Sequence, residues 1–222
     1  MSQLNVTTLK HESAGVNNIT LDANGRVGIG TNNPTYNLTV AGNGTSGLCA
    51  MAFVDESNSN KEWRIDQSDG ALRFTESGVA ERMRIDTAGR VTMPYQPMCW
   101  VVLNGTTTTA ATAFTTSSLN ANAGNCWNSS THRFTAPISG YYHCTAGLYT
   151  NYTNSYGWWA FFKNGASQGT YHFNHGGYVI HEGMGATAII YCNAGDYIQL
   201  GRPSSGGSGY FDRADLSIFL CG

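Results

Sequence analysis

The sequence predicts an all-β protein in which an extended β-rich stem precedes a β-sandwich head domain. Three observations favour this fold: apolar and polar residues alternate over short runs, turn-forming segments separate these runs, and no segment from residue 95 onward shows a helical period. Composition divides the chain in two, because 18 of the 26 charged residues lie in residues 1–94, whereas eleven of the twelve tyrosines lie from residue 95 onward. Pro94 and Pro97 mark the boundary between the two regions.

The first region carries its apolar residues in short period-two pairs, which predict short strands with one buried face. Strands this short bury too little apolar surface to offset the conformational entropy that they lose on folding. Copies from other chains are therefore expected to complete the core of an oligomeric stem. The pairs between Ser2 and Gly47 are Leu4/Val6, Ile19/Leu21, Val27/Ile29 and Leu38/Val40.

Residues 48–93 predict a small antiparallel meander inside the stem. The alternating pairs are Trp63/Ile65, Leu72/Phe74 and Met83/Ile85, and "QSDG" is typical of a tight hairpin between two strands. Four arginines stand among Asp and Glu here, so we expect outward charges that pair across strands rather than a basic patch. These arginines are Arg64, Arg73, Arg82 and Arg84.

The region from residue 95 onward has the turn spacing of a sandwich, and several of its strands are apolar on both faces. In "YYHCTAGLY", Tyr142 faces away from Tyr141, and in "WWAFF", Trp159 and Phe161 face away from Trp158. One apolar face per strand is enough for two layers, so a subunit interface is expected to cover the second. Trp158 and Trp159 are assigned to the core. The candidate strands are "CWVVLN", "HRFTAP", "YYHCTAGLY", "WWAFFKNG", "GATAIIYC", "DYIQLG" and "DLSIFLC".

Charge and cysteine content exclude several function classes. A net charge of -2 gives no electrostatic reason to expect nucleic acid or an acidic membrane as a partner. No apolar stretch is long enough for a membrane span, and Met1 is not followed by a signal peptide, so we expect a soluble protein made in a cytoplasm. Six cysteines without a CxxC pair favour free thiols, with three disulfides as the alternative.

Catalytic and metal-binding motifs are weak. "YHFNHGGYVIHEG" holds His172, His175, His181 and Glu182, but HxxH on a strand places its two imidazoles on opposite faces, so loop or interface histidines are favoured over a metal site. Asp212, Asp215 and Glu182 are the candidates for a glycosidase pair, since two carboxylates perform that chemistry. The chain lacks a nucleophile elbow, a P-loop and a dinucleotide fingerprint. We therefore expect no enzyme, no metal and no cofactor.

Saccharide binding is the better-supported chemistry of the head. Saccharide sites use aromatic faces against the sugar ring, with Asn, Asp and backbone groups for the hydroxyls. Three loops have this composition: "TNYTNSYG", "TYHFNHGG" and "SSGGSGYFD". The alternative is that their aromatic residues belong to an oligomer core. The candidate receptor-binding residues are Tyr152, Tyr156, Tyr171, His172, His175, Tyr210 and Asp212.

The first 94 residues resemble bacteriophage tail-fibre and related structural proteins, notably those of marine and cyanobacterial phages. The resemblance lies in "ITLDANGRVGIGTNNPTYNLTVAGNGT" and "RFTESGVAERMRIDTAGRV", and the opening "MSQLNVTTLKHESAGVNNITL" is similar to short virion-attachment segments. It implies a structural class rather than an activity. It also implies residence in the virion, with other virion proteins as partners of residues 1–20.

The second half resembles the trimeric jelly-roll heads of complement and tumour-necrosis-factor-like proteins. The similarity rests on "FTAPISGYYHCTAGLY" (Phe134, Pro137, Gly140 and Tyr142), on "CNAGDYIQLG" (Gly195, Asp196 and Leu200) and on "DLSIFL". It implies a jelly-roll sandwich and a homotrimer, with aromatic-rich strands at the threefold axis. One departure is that the closing strand of that family usually has glycine where Ile218 stands.

One phrase occurs twice, since "LDANGRV" begins at residue 21 and "IDTAGRV" at residue 85. The repeated Asp-x-x-Gly-Arg-Val predicts two turns of one stem, in which Val27 and Val91 point inward and glycine supplies a positive φ or a close approach. We expect ion pairs between neighbouring chains, Asp22 with Arg26 and Asp86 with Arg90. The alternative is a chance hairpin turn with solvated charges.

These inferences combine into one hypothesis. It has a virion-attachment segment (1–20), a β-rich trimeric stem (21–94) and a jelly-roll head (95–222) that binds a host-surface glycan. The predicted trimer interface and core residues are Val27, Val91, Tyr142, Trp158, Trp159, Phe161 and Ile218. The alternatives are a capsid or baseplate decoration protein without receptor binding and, less favoured, a glycan-depolymerising enzyme.

Overall fold

The computed structural model describes residues 7–10, 18–42, 49–104, 114–150, 156–174, 182–201 and 213–221, except the side chains of 150, 156–158, 170–174 and 182–184. The described residues form strands and turns without a helix, so the predicted all-β class is confirmed. Among them no helix is long and apolar enough to cross a membrane. The chain divides into two compact units, Met1–Pro94 and Tyr95–Gly222. This division falls at the residue where the composition changes.

A four-stranded sheet opens the first unit. Its first three strands pair antiparallel, and the last two pair parallel. The short strands predicted from Ile19 to Val40 are confirmed, while Leu4 and Val6 lie outside the described residues. In spatial order the strands are β1 (Thr8–Leu9), β2 (Ile19–Leu21), β3 (Val27–Ile29) and β4 (Leu38–Val40).

A five-stranded antiparallel meander follows in the same unit. Its strands are β5 (Cys49–Asp55), β6 (Lys61–Ser68), β7 (Ala71–Glu76), β8 (Ala80–Ile85) and β9 (Val91–Thr92), paired in chain order. The sequence predicted the three inner strands. The "QSDG" hairpin is confirmed: Ser68 pairs with Ala71, and φ is 51° at Asp69 and 76° at Gly70, as a two-residue turn with two left-handed positions requires.

The repeated Asp-x-x-Gly-Arg segment forms ion pairs within one chain, so the predicted pairing between chains is wrong. Arg26 Nε lies 3.1 Å from Asp22 Oδ2, and Arg90 Nε lies 2.7 Å from Asp86 Oδ2. The physical reason is the turn itself, which brings its first and fifth residues together. The backbone amide of each aspartate donates to the carbonyl of its arginine at 3.0 Å.

The other arginines of the meander pair partly as predicted. Arg73 crosses from β7 to the Asp66 carboxylate of β6 at 2.6 Å, and Thr75 donates to the second Asp66 oxygen at 2.9 Å. Asp66 is 1% exposed, so this cross-strand charge is buried rather than outward. Arg82 binds Glu76 across the β7–β8 turn. The remaining two pair within a strand, Arg64 with Glu62 and Arg84 with Glu81.

The second unit is a sandwich of two five-stranded antiparallel sheets. We call β11-β10-β19-β14-β17 the front sheet and β12-β13-β18-β15-β16 the back sheet. The chain passes repeatedly between the two sheets, which is the jelly-roll arrangement. The strands are β10 (Met98–Asn104), β11 (Thr115–Ala123), β12 (Trp127–Asn128), β13 (Arg133–Thr135), β14 (Gly140–Thr150), β15 (Tyr156–Lys163), β16 (Ala166–Asn174), β17 (Glu182–Cys192), β18 (Tyr197–Gly201) and β19 (Arg213–Leu220).

The seven strands predicted for this unit are confirmed, whereas β11, β12 and β16 were not predicted. The β11 sequence "TTSSLNANA" contains one large apolar residue and therefore lacks an alternating signal. Strand β16 reads "ASQGTYHFN", in which the first five residues are small or polar. Both strands lie at sheet edges, where hydrogen bonds to one neighbouring strand, rather than buried apolar side chains, keep the strand in place.

The hydrophobic core lies between the front and back sheets. Along β14 burial alternates as predicted, since Tyr142 is 0% exposed and Tyr141 is 54% exposed. The Phe134 ring meets the Tyr142 ring edge-on at 5.3 Å, and the Trp159 and Phe161 rings are 6.0 Å apart. All six cysteines have free thiols, in agreement with the favoured prediction, and four of them are buried in this core.

Candidate functional site

One end of the sandwich collects the starts and ends of the strands that carry the candidate saccharide segments. In the front sheet, Thr150 at the end of β14 pairs with Glu182 at the start of β17. Arg213 at the start of β19 pairs with Tyr149 on one side and with Asn104, the last residue of β10, on the other. We call this end of the sandwich the loop end.

The back sheet contributes to the same end. Tyr156, the first residue of β15, pairs with Asn174, the last residue of β16. Only five residues join Tyr156 to the end of β14, so the start of β15 lies at the same end of the sandwich as the end of β14. The chain segments between the strand ends found there are 105–114, 151–155, 175–181 and 202–212, and the last three contain or adjoin the candidate saccharide residues.

The predicted receptor-binding residues all belong to these connections or to the strands that flank them. Tyr156, Tyr171 and His172 lie on the β15–β16 hairpin, where Tyr171 pairs with Trp159 and His172 pairs with Trp158. Their side chains are outside the described set. The remaining predicted residues, Tyr152, His175, Tyr210 and Asp212, lie outside the described residues altogether.

Two described residues at the loop end, Tyr149 and Arg213, were not predicted from the sequence. The Tyr149 side chain is 40% exposed, and Arg213 beside it in register is exposed. Arg213 Nη2 donates to Asp215 Oδ1 at 3.0 Å, which leaves other guanidinium N–H groups to serve as donors. A phenol ring beside a guanidinium can contact a sugar ring and its hydroxyls. Only the β14–β19 register reveals this pair, because 64 residues separate the two in sequence.

The opposite end of the sandwich is closed by a charged corner. The Asp196 carboxylate accepts hydrogen bonds from the Asn164 amide at 2.7 Å and from the Asn193 backbone at 2.8 Å, and Lys163 lies 3.1 Å away. These contacts, led by the one from Asn164, lower the pKa of Asp196 to about 2. The carboxylate is therefore already satisfied, and this corner is structural.

The described residues assemble neither a metal site nor a glycosidase pair. No group of three or more His, Cys, Asp or Glu side chains is placed there to hold a metal ion. His175 and His181 lie outside the described residues. Of the glycosidase candidates, Asp215 is ion-paired with Arg213, and Asp212 lies outside the described residues.

A second candidate surface is the outer face of the front sheet, which we call the aromatic face. It runs across four strands, since Met98 pairs with Phe219, Phe219 with His143, and His143 with Ile189. The Tyr141 and Tyr191 rings meet edge-on at 5.2 Å in the adjacent row. The exposed fractions are 47% for Trp100, 54% for Tyr141, 66% for Ile189, 46% for Tyr191 and 41% for Phe219.

His143 stands at the centre of the aromatic face and is held by neutral partners. Its Nε2 lies 2.9 Å from the Thr187 hydroxyl and its Nδ1 lies 3.4 Å from the Thr145 hydroxyl. Its ring packs 5.0 Å from the Phe219 ring. The centre of this face therefore combines aromatic rings with hydroxyl groups and, among the described residues, carries no Asp, Glu, Lys or Arg.

Of the residues predicted for a trimer interface or core, some are buried within one chain and others are partly or largely exposed. Tyr142, Trp159, Phe161 and Ile218 are 0% exposed and lie in the sandwich core of one chain. The side chain of Trp158 is outside the described set. In the first unit, Val27 is half-buried and Val91 is 54% exposed.

No protein-family model matches this chain, and no curated protein is significantly similar to it in sequence. Solved structures do resemble it, among them the globular domain of a zebrafish complement 1qA protein. That match has 13% identity and a TM-score of 0.45, and it covers 57% of this chain and 98% of the other.

Proposed function

We propose that the chain is a subunit of a homotrimeric bacteriophage virion fibre whose sandwich head adheres to a saccharide of the host surface. Residues 1–20 attach to other virion proteins, residues 21–94 form the stem and residues 95–222 form the head. The observation that carries the proposal is that the strands flanking the three candidate saccharide segments, each of which contains a tyrosine, begin or end at the loop end. The resemblance of the first 94 residues to phage stems supplies the biological setting.

The adhesive chemistry is non-covalent. Tyrosine rings stack on the apolar face of a pyranose, and the guanidinium of Arg213, with Asn and backbone groups, binds the hydroxyls. One such site is weak because each hydroxyl contact replaces a contact with water. Three copies on one fibre act together, and avidity raises the overall affinity without new contacts.

The aromatic face supports the trimer part of the proposal. Monomeric proteins rarely expose a contiguous apolar patch of this kind, whereas interface cores are rich in aromatic residues and poor in charge. Trp100, Tyr141 and Phe219 are each between 41% and 54% exposed in the single chain. A neighbouring head that covers them removes this surface from water.

Light scattering and glycan binding on the full chain test the proposal. We expect a mass of three subunits, binding to cyanobacterial cells or to a glycan array, and a loss of about tenfold or more for Tyr149→Ala and Arg213→Ala. Asn193→Ala, at the opposite end of the sandwich, is the matched control and should bind normally. Binding that is absent, or equally reduced by all three variants, would overturn the adhesive role.

Location separates the proposal from a decoration protein. A labelled antibody should mark the tail or another fibre of the phage particle, and a uniform signal over the capsid would contradict the fibre assignment. A glycan-depolymerising enzyme would release soluble sugar from host polymer and lose that release on Asp212→Asn. We expect no release from the unmodified protein.

A further inference from the structure

The first unit has almost no hydrophobic core within one chain. Among its described residues, Ala71, at 3% exposed, is the only buried aliphatic, aromatic or sulfur-containing side chain apart from the ring of Pro34. The buried cluster of the chain runs from Cys99 to Ile218 and therefore lies in the second unit. A unit of this length needs buried apolar surface to offset its conformational entropy. The missing surface must come from outside the single chain.

The β1–β4 sheet has one wholly apolar face, and that face is exposed. Side chains that are register partners share a face, and so do side chains two apart along a strand. Five of its side chains are between 38% and 52% exposed and Val27 and Val40 are half-buried, whereas Thr20 on the opposite face is 7% exposed. The β1–β4 apolar face consists of Leu9, Ile19, Leu21, Val27, Ile29, Leu38 and Val40.

The β5–β9 meander repeats this arrangement. Phe53 is 55% exposed and its register partner Trp63 is 41% exposed, whereas Asp66 on the opposite face is 1% exposed. A depression of ≈ 380 Å³ lies beside Phe53 and Trp63, next to the β5–β6 turn. The β5–β9 apolar face consists of Met51, Phe53, Trp63, Ile65, Leu72, Phe74, Met83, Ile85 and Val91.

In both sheets, therefore, most of the large apolar side chains share an exposed face, whereas a polar side chain on the opposite face, Thr20 or Asp66, is buried. Apolar side chains leave water when a self-contained domain folds, so such a domain shows the reverse. The polar face of the meander is also complete, because Asp66 is satisfied by Arg73 and Thr75. What lacks a partner in each sheet is the apolar face.

We infer that these two apolar faces pack against the same faces of other copies of this chain, so that the stem core forms between chains. Eleven of their side chains are at least 38% exposed, which leaves on the order of 900 Å² of apolar surface, close to the ~800 Å² that each partner buries in a stable interface. The inference deepens the proposed fibre function and takes the number of copies from it.

A second copy fits these faces better than an unrelated partner of charged or polar chemistry. The β5–β9 apolar face carries charge only at one margin, where Glu76 is already paired with Lys61 and Arg82. A charged partner would leave its own groups desolvated and unpaired there. Related copies offer an equally neutral, equally sized apolar face, and closed symmetry satisfies every copy alike.

Photo-crosslinking on the full chain tests the inference. The photoreactive residue p-benzoylphenylalanine replaces Phe53 in one sample and Val54 in the other. These neighbours are 55% and 52% exposed but lie on opposite faces of β5, so they form a matched pair. Mixing isotopically heavy and light chains separates crosslinks between chains from those within one. We expect interchain crosslinks to residues 49–92 from position 53, at least tenfold above those from position 54.

The same photoreactive residue at Ile65 is a second probe, in case the replacement of Phe53 disturbs the local structure. It should also give interchain crosslinks to residues 49–92. Equal crosslinking from positions 53 and 54, or crosslinks from 53 and 65 only within one chain, would overturn the inference. Light scattering of the same samples keeps it separate from the proposed function. A mass of three subunits without these crosslinks would contradict only the inference that the stem core forms between chains. A mass of one subunit would contradict the proposed trimeric fibre, and the inference with it.

Discussion

Asp22 closes its turn by binding both the backbone amide and the guanidinium of Arg26, at 2.8 and 3.1 Å. Asp86 binds Arg90 in the same two ways, at 2.9 and 2.7 Å. The glycine before each arginine has a positive φ, 76° in one turn and 78° in the other, which favours glycine there. The repeated phrase thus encodes a repeated turn with a closed ion pair.

We predict that Asp86→Asn opens its turn in a pH-dependent way. Hydrogen bonds from the Arg90 backbone and then from its side chain hold the pKa of Asp86 below its ordinary value. A lowered pKa in the folded state means that the carboxylate stabilises the turn above about pH 4 and that this contribution is lost as the pH falls through the lowered value.

Amide hydrogen exchange at Ala88 and Arg90 measures this opening. At about pH 7 the protection of the variant should be roughly tenfold lower than that of the unmodified chain, and at strongly acid pH the two should converge. Glu56→Gln, which removes an exposed carboxylate from the β5–β6 turn, is the control and should change neither amide. A difference that persists at acid pH would argue against the electrostatic explanation.

Breaking the buried Asp66–Arg73 pair should be among the most destabilising changes in the first unit. Arg73→Leu leaves the Asp66 charge buried with only Thr75 as a partner, and an uncompensated buried charge costs about 3 kcal/mol. Urea unfolding of the full chain, followed by hydrogen exchange in strands β6 and β7, measures the loss. Arg84→Leu removes a more exposed arginine and should cost less than about 1 kcal/mol. Equal losses would contradict the burial argument.

Ile218, in the closing strand β19, is fully buried. It pairs with Cys99 and Cys144 between two central strands, so Ile218→Gly creates a cavity and loosens the strand. We predict a loss of about 4 kcal/mol in the free energy of unfolding, against about 1 kcal/mol for Ile218→Val. Phe219→Ala, on the aromatic face, should weaken subunit association more than it weakens the sandwich. A nearly neutral Ile218→Gly would mean that this strand packs differently.

The exposed and buried cysteine thiols should react with a thiol reagent at different rates. Cys221 is exposed, whereas burial raises the pKa of Cys99 to about 12, and the thiolate is the reactive form. At about pH 8 an aromatic disulfide reagent should label Cys221 first and the buried cysteines roughly a hundredfold more slowly. Six thiols should react after unfolding without reductant, and a count of four or fewer would indicate disulfides. The buried set is Cys99, Cys126, Cys144 and Cys192.

Local patterns predicted most of the strands. Period-two alternation identified β14, where Tyr142 is buried and Tyr141 is exposed, and "QSDG" identified a hairpin from two residues with left-handed φ. The polar edge strands β11 and β16 were not predicted, because cross-strand hydrogen bonds rather than apolar side chains define them.

The sequence predicted which residue types form the candidate site, but it did not predict where in the fold they lie. The aromatic loops are visible in the sequence, yet their common origin follows from pairs such as Thr150 with Glu182 and Tyr149 with Arg213. Each pair joins residues more than thirty positions apart. No local signal indicates such a register, which is set by how whole strands pack.

By itself the sequence determined the all-β class, the repeated glycine turn and the alternation along each strand, because these depend on neighbours a few residues away. The tertiary structure alone decided that Asp22 binds Arg26 within one chain, that the strand ends flanking the candidate saccharide segments lie at the loop end, and that the stem sheets expose their apolar faces. Burial and strand register arise from contacts between segments distant in the chain, and the free energy of those contacts has no counterpart in a short stretch of sequence.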